Sequence, residues 1–407
     1  MIHKRAGTRS LFSIALLLFV PHLSLCQPTA SSDPSGTAFN VKSYGAIGDG
    51  KANDTPAIQS AIDAATAALG GIVYFPQGTY LLKGTLYNKR ADLVSLTGSG
   101  MASRIIVNSN LGISLATTEK YVGVSGFHSG RIQGLYIKCS NPADSTAIEM
   151  TDMVSAPLLM DLSISGCNVA FHLINQRLWT ERLMAENISD HYNNHLFHFD
   201  QNPDNPQNSF GYAIFNGIFV NKSAGQDVFY LTGGAYIYHS TFTVKGNLEK
   251  AKNASIFNIK GKPSEPCPGL AFNVYDIALE GDSYFVVKTT PNGCRPGATG
   301  NALVNGMGTI HATGAAAVAS PGSLAMLHDP QQAAYLAVPV YTATASSSDT
   351  VAAPNLTPSS KCFVQPADPI SANLIKDTYV SGTNWQSVTI AHPPTARGGK
   401  FQIWCTP

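Results

Sequence analysis

An all-β solenoid is the fold the sequence predicts: a parallel β-helix with a short helix over its N-terminal end and a small β cap at its C-terminal end. Three features predict it. Between about residues 130 and 288 two short strand patterns recur coil after coil, one amphipathic helix stands before them, and an Ala/Ser/Thr/Pro-rich stretch follows. Charged residues make up only 13% of the 407, with 36 glycines, a balance that suits short polar turns between strands better than a helical bundle.

In chain order, residues 1–26 read as a secretory signal, with Lys4, Arg5 and Arg9 ahead of an apolar run over 11–20. That run is too short to span a bilayer. The reading predicts a secreted, extracellular or periplasmic, chain with no membrane insertion, preceded by a flexible segment over 27–38. Losing the three basic residues takes the formal charge from +1 to −2, since the segment holds no Asp or Glu. No basic footprint for nucleic acid is left. Of the seven cysteines Cys26 leaves with the signal, and an even remainder in an exported chain favours disulfides. Local pairs, Cys139 with Cys167, Cys267 with Cys294 and Cys362 with Cys405, each join neighbouring turns of the repeat. None has the spacing of a metal site, so neither metal nor cofactor is expected.

Residues 39–83 divide into strand, loop, helix and strand. Asp54 or Thr55 is placed to cap a helix with Pro56 in its first turn, and Ile58, Ala61, Ile62 and Ala65 make one apolar stripe. Gly70 and Gly71 end the helix, and Ile72 to Phe75 begin a strand that Pro76 and Gly78 turn. The stretch as a whole, through Tyr44-Gly45-Ala46, Gly48-Asp49-Gly50, Asp54-Thr55, Gly70-Gly71, Phe75-Pro76 and Gly78-Thr79-Tyr80, resembles the opening module of the pectate-lyase superfamily, which includes rhamnogalacturonase-like, epimerase-like and tailspike β-helices. Asn53 departs from it where many members have a second Asp. The resemblance implies a right-handed, single-stranded parallel β-helix over 39–310 and an extracellular polysaccharide as partner.

Within the coils, aligning the second strands puts Ile148, Phe171, Phe197, Phe229 and Phe257 in one inward column. The next residues then form an outward ladder of Glu149, His172, His198, Tyr230 and Asn258. Aligning the first strands puts Gly134, Asp161, Arg182 and Gly217 in one outer column and Lys138, Glu186 and Asn221 in another, so that Asp161 meets Arg182 across one rung.

After Gly308 coiling is expected to stop, with 311–360 a tail or linker and 361–407 a small disulfide-closed β module in which Trp385 and Trp404 offer stacking faces.

Polysaccharide β-helices use paired carboxylates for hydrolysis, or a base that takes the proton beside a uronate carboxyl so that the leaving oxygen departs. The ladder is the first candidate for either. Glu149 would orient His172, His198 or Tyr230 would serve as base or acid, and Asn258 would bind sugar hydroxyls. Asp161, Arg182 and Glu186 are the second candidate, with Asp190 or Asp200 as a further carboxylate, and Lys138 and Asn221 as substrate contacts. The polygalacturonase motifs are absent, Arg131-Ile132-Gln133 being only a partial echo. Hydrolase, lyase, uronate epimerase and non-catalytic glycan-binding readings therefore all stay open, as do monomer and trimer.

Overall fold

The computed structural model describes residues 38–116, 130–155, 157–202, 204, 210–248, 251–262, 264–265, 268–281, 285–289, 303–313, 317–319, 324–328, 335–352, 362–384 and 387–405. The expected signal segment, the Cys267–Cys294 pair and Trp385 lie outside these residues.

The helix forms at Thr55–Ala67 with Ile58, Ala61, Ile62 and Ala65 buried, the stripe the spacing predicts. Asp54 stands at its N-cap without capping it through its side chain. Its buried carboxylate instead accepts hydrogen bonds from the backbone N–H of Ile47 at 2.7 Å and of Leu81 at 3.3 Å, stitching the preceding loop to the strand Gly78–Leu82. Gly48 in that loop has φ +70°, and the Tyr80 ring packs against it where a Cβ would lie 2.9 Å away, so both conformation and space exclude a side chain.

Strands stack coil on coil in parallel pairings, as the right-handed parallel β-helix fold requires. Among the described residues one sheet has nine strands; its central members are Thr146–Thr151, Val169–Asn175, His195–Gln201, Asp227–Leu231 and Ser255–Ile259. The other long sheet has 20 strands and bends at two corners in each coil. Both corners take left-handed backbone conformation. Gly134, Asp161, Asn187 and Gly217 occupy one, with φ between 52° and 64°, and Arg182, Tyr212 and His239 occupy the other, with φ between 50° and 56°.

Two interlocking aromatic stacks fill the solenoid. Phe171, Phe197, Phe229 and Phe257 stack at centroid distances of 4.9, 5.4 and 5.2 Å. From the opposite wall, Phe215, Phe242 and Tyr275 stack at 4.9 and 5.5 Å. The stacks meet edge to face, as in Phe197–Phe215 at 5.1 Å and Phe229–Phe242 at 5.0 Å, the geometry that brings positive ring edges onto negative faces. The protein also holds a buried ion pair. Lys222 Nζ approaches Asp190 Oδ2 to 2.9 Å and donates to the Asn193 carbonyl oxygen at 2.7 Å. Burial pushes the Asp190 carboxyl up and the Lys222 ammonium down, and their mutual contact opposes both shifts.

Disulfides join Cys139 to Cys167 and Cys362 to Cys405. The first ties adjacent coils, its cysteines 28 residues apart in sequence. Parallel pairing runs past residue 310: Leu303–Thr313 pairs with Gly269–Gly281, and Leu324–His328 pairs in turn with Leu303–Thr313. The small residues after Gly308 read as linker because they lack the bulky inward column that marks earlier coils. The C-terminal strands are antiparallel, with Cys362–Pro366 and Tyr335–Thr342 both on Lys400–Cys405, and Ser348–Ala352 and Tyr379–Asn384 both on Ser387–Ala391. Val388, Ile390, Ile403 and Cys405 form a core of their own there.

Candidate functional site

The nine-stranded sheet places Glu149, His172, His198, Tyr230 and Asn258 opposite one another in unbroken register. Each side chain is half-buried on the outer face, while the preceding Ile148, Phe171, Phe197, Phe229 and Phe257 are fully buried.

Strict alternation would turn the residues two before each phenylalanine inward as well. It does not hold here. In every central strand at least two consecutive residues are buried, for example Leu196 with Phe197 and Val228 with Phe229, so simple alternation does not place the residue before the pair. That places half-buried His195 and the buried Asp227 and Ser255, which share one register, beside the ladder, where Asp227 meets both His195 and Asn258. Sequence reasoning missed all three because it counted by twos from the phenylalanines; the signal was the doubled apolar residue in each strand.

The result is a polar cluster spanning several coils. His172 and His198 stack at 4.4 Å with 9° between ring planes. His172 Nδ1 lies 3.8 Å from Glu149 Oε2, while its Nε2 is buried without a hydrogen-bond partner among the described residues. His198 Nε2 shares a 2.8 Å hydrogen bond with Thr232 Oγ1, which donates to Asp200 Oδ1 at 3.0 Å. Alongside, His195 stacks on Tyr230 at 4.1 Å and 10°. Its Nδ1 stands 3.2 Å from Asp227 Oδ2, an ion-pair contact that lacks the alignment of a hydrogen bond. Asp227 is held by Ser255 Oγ at 2.6 Å and Asn258 Nδ2 at 2.7 Å, so the Asn258 amide is engaged inside the cluster.

Charge follows from burial. Loss of solvent, then the neighbouring imidazoles of His172 and His195, push His198 down to about 2. Loss of solvent likewise holds His172 below its usual value, against the pull of Asp200. Burial raises the Glu149 carboxyl. The stacked pair is therefore neutral near pH 7. A cavity of about 350 Å³ adjoins Asp200, its polar lining including Gln176, Arg177, Asn202, Lys262 and Glu265.

The second candidate set does not assemble. Asp161 lies opposite Gly134 and Asn187, the residues at its own corner, and Asn187 Nδ2 donates to Asp161 Oδ1 at 2.6 Å. Arg182 belongs to the other corner. The two were aligned because both corners put a polar left-handed residue directly before a buried leucine, Leu162 or Leu183. Glu186 faces Met160 and Asn216, and the column of Lys138 and Asn221 takes His191 in its place. Asp190 is not a loop carboxylate but the buried partner of Lys222, and Asp200 lies within the strand His195–Gln201.

Residues 38–202 match the family model described as Rhamnogalacturonase A/epimerase, pectate lyase-like. Over that stretch the chain is similar to this family, and its coils are those of a parallel β-helix. Among curated relatives of the β-helix, mannuronan C5-epimerase AlgE3 of Azotobacter vinelandii is 49% identical over 75 residues, 17% of this chain and 4% of the relative. Plasmin and fibronectin-binding protein A of Streptococcus pneumoniae is 59% identical over 54 residues, 13% and 8% of the two chains. The chain thus spans less than a tenth of either relative. Among solved structures, ORF18 of Geobacillus virus E2 has a TM-score of 0.44 at 16% identity, covering 87% of this chain and 76% of that one. Among the described residues no helix is long and apolar enough to cross a membrane.

Proposed function

We propose that this β-helix is a secreted, polysaccharide-active enzyme that cleaves a glycosidic bond by β-elimination on the outer face of its nine-stranded sheet. The observation that carries the reading is His195, with Nδ1 against the buried Asp227 carboxylate and its ring on Tyr230. A buried carboxylate against one ring nitrogen stabilises the imidazolium that forms when the other nitrogen takes a proton, which is what general-base catalysis needs. His195 Nε2 takes the proton beside the uronate carboxyl. The electron pair forms the new carbon–carbon double bond, the bond to the leaving oxygen breaks, and the Tyr230 hydroxyl protonates that oxygen. Ladder positions thus take different roles: His198, at about 2, is too weak a base to collect a proton at neutral pH.

The family match supports a polysaccharide partner, and the mannuronan C5-epimerase among the relatives is named for chemistry at the same kind of carbon. Disulfides support an oxidising, extracellular setting. Hydrolysis is the second reading, favoured by the Glu149 carboxyl, which burial shifts toward the protonated form a general acid requires. The test is incubation with a panel of uronate-containing and neutral polysaccharides, following new reducing ends and unsaturated-product absorbance together. Both signals rising on a uronate polymer supports elimination. Reducing ends alone support hydrolysis, and neither signal on any polymer overturns cleavage and leaves uronate epimerisation or glycan binding.

A further inference from the structure

We propose that His172, His198 and Asp200 form a binding site for a divalent transition-metal ion of the zinc type, with a coordination position left open toward the neighbouring cavity. The donor atoms of the three side chains lie within 4.8 Å of one another. The strand geometry explains why. His198 and Asp200 are two residues apart on one strand and so face the same side, and His172 sits opposite His198 on the adjacent strand. Two imidazoles and one carboxylate form a donor set suited to zinc rather than to calcium or magnesium, which prefer all-oxygen cages.

Two further features support the site. His172 Nε2 is buried with no hydrogen-bond partner among the described residues; such an atom is destabilising unless something engages it. Behind the same ring, Glu149 Oε2 lies 3.8 Å from Nδ1, too long for a hydrogen bond, and the ring rotation that metal binding needs would have to close this gap for the carboxylate to orient the imidazole. Bonds of about 2.0–2.1 Å require the donors to close in from their present spacing. Side-chain rotation out of the 9° stack supplies this while the backbone register stays as it is. The Thr232 hydroxyl, now joined to both His198 and Asp200, then supports the carboxylate alone. The cavity beside Asp200 gives a fourth ligand, water or a sugar oxygen, room to reach the ion.

The test uses the full chain, stripped with a chelator and dialysed, titrated with Zn²⁺ by calorimetry and with Co²⁺ by visible absorption. One equivalent is expected to bind, with the visible bands of low-symmetry Co²⁺ bearing nitrogen ligands. His172→Ala, His198→Ala and Asp200→Asn should each weaken binding at least roughly 100-fold, because even an outer partner is worth about 10–100-fold. Glu149→Gln should weaken it about tenfold, and Glu186→Gln not at all. Asp200→Asn preserves volume, and circular dichroism confirms that each variant is folded. No saturable binding of either ion, or binding that survives both His172→Ala and Asp200→Asn, overturns the proposal. Cleavage of polysaccharide is scored separately on chelator-treated protein, so the spectra decide the metal site whatever the enzyme assay shows.

Discussion

On the inner face of the nine-stranded sheet Phe171, Phe197, Phe229 and Phe257 stack at 4.9 to 5.4 Å, and one residue along each strand, on the outer face, His172 stacks on His198 at 4.4 Å. Rung spacing imposes the same closeness on both columns. For phenylalanine, closeness is favourable packing and nothing titrates. For imidazole, closeness in a half-dry setting opposes charge, so the same repeat that builds a core inside sets protonation states outside. The site is thus a by-product of the rung spacing, tuned by which polar residue each coil supplies.

This contrast can be broken in several ways. The largest expected effect pairs Phe197→Ala with His195→Ala. The first should cost about 3–5 kcal/mol of stability by urea unfolding, with activity per folded molecule nearly kept. The second should leave stability within about 1 kcal/mol and lower turnover about 10²–10⁴-fold on the true substrate. If both lose stability and neither loses specific activity, the outer column is structural.

A smaller effect lies in pH. His198 titrates near 6.5 when unfolded and is pushed to about 2 when folded, so between those values the unfolded chain binds more protons. Its neutral burial is therefore compatible with full stability above about 6.5, and stability is lost as the pH falls, by up to about 1.4 kcal/mol per pH unit. His172, shifted the same way, adds to the slope, and Glu149, shifted upward, reduces it. Urea midpoints at pH 7 and pH 5 measure this, and His198→Gln should flatten the dependence. A slope unchanged by His198→Gln would show that the stack is not the source.

Smallest is Arg182→Gly. Arg182 holds φ +56° at a corner, and glycine removes the left-handed penalty at some entropic cost, so stability should change by no more than about 1 kcal/mol, with no effect on turnover. A large loss of activity would return Arg182 to the site.

The sequence and the structure agree where a single periodicity governs. The helix stripe from Ile58 to Ala65 and the ladder from Glu149 to Asn258 were legible because bulky inward residues mark the phase. Legibility failed where backbone conformation breaks the count. His195 and Asp227 are invisible to alternation because Leu196 and Val228 add a second buried residue. Asp161 and Arg182 were set side by side because composition cannot distinguish two corners that both require left-handed backbone. The second aromatic stack, Phe215, Phe242 and Tyr275, escaped because its members sit beside those corners, where register shifts between Phe215 and Ile218.

The buried contact between Lys222 and Asp190 bears on how the chain avoids assembling wrongly. A stack of nearly identical phenylalanines accepts a neighbour one coil early or late with little change in apolar contact. Lys222 does not. In a chain threaded one coil out of step its ammonium would be sealed in the solenoid without Asp190 or the Asn193 carbonyl, at a cost of about 3–5 kcal/mol. The pair acts as a proofreading mark inside a repetitive core, rejecting miscounted coils that the aromatic packing alone would tolerate.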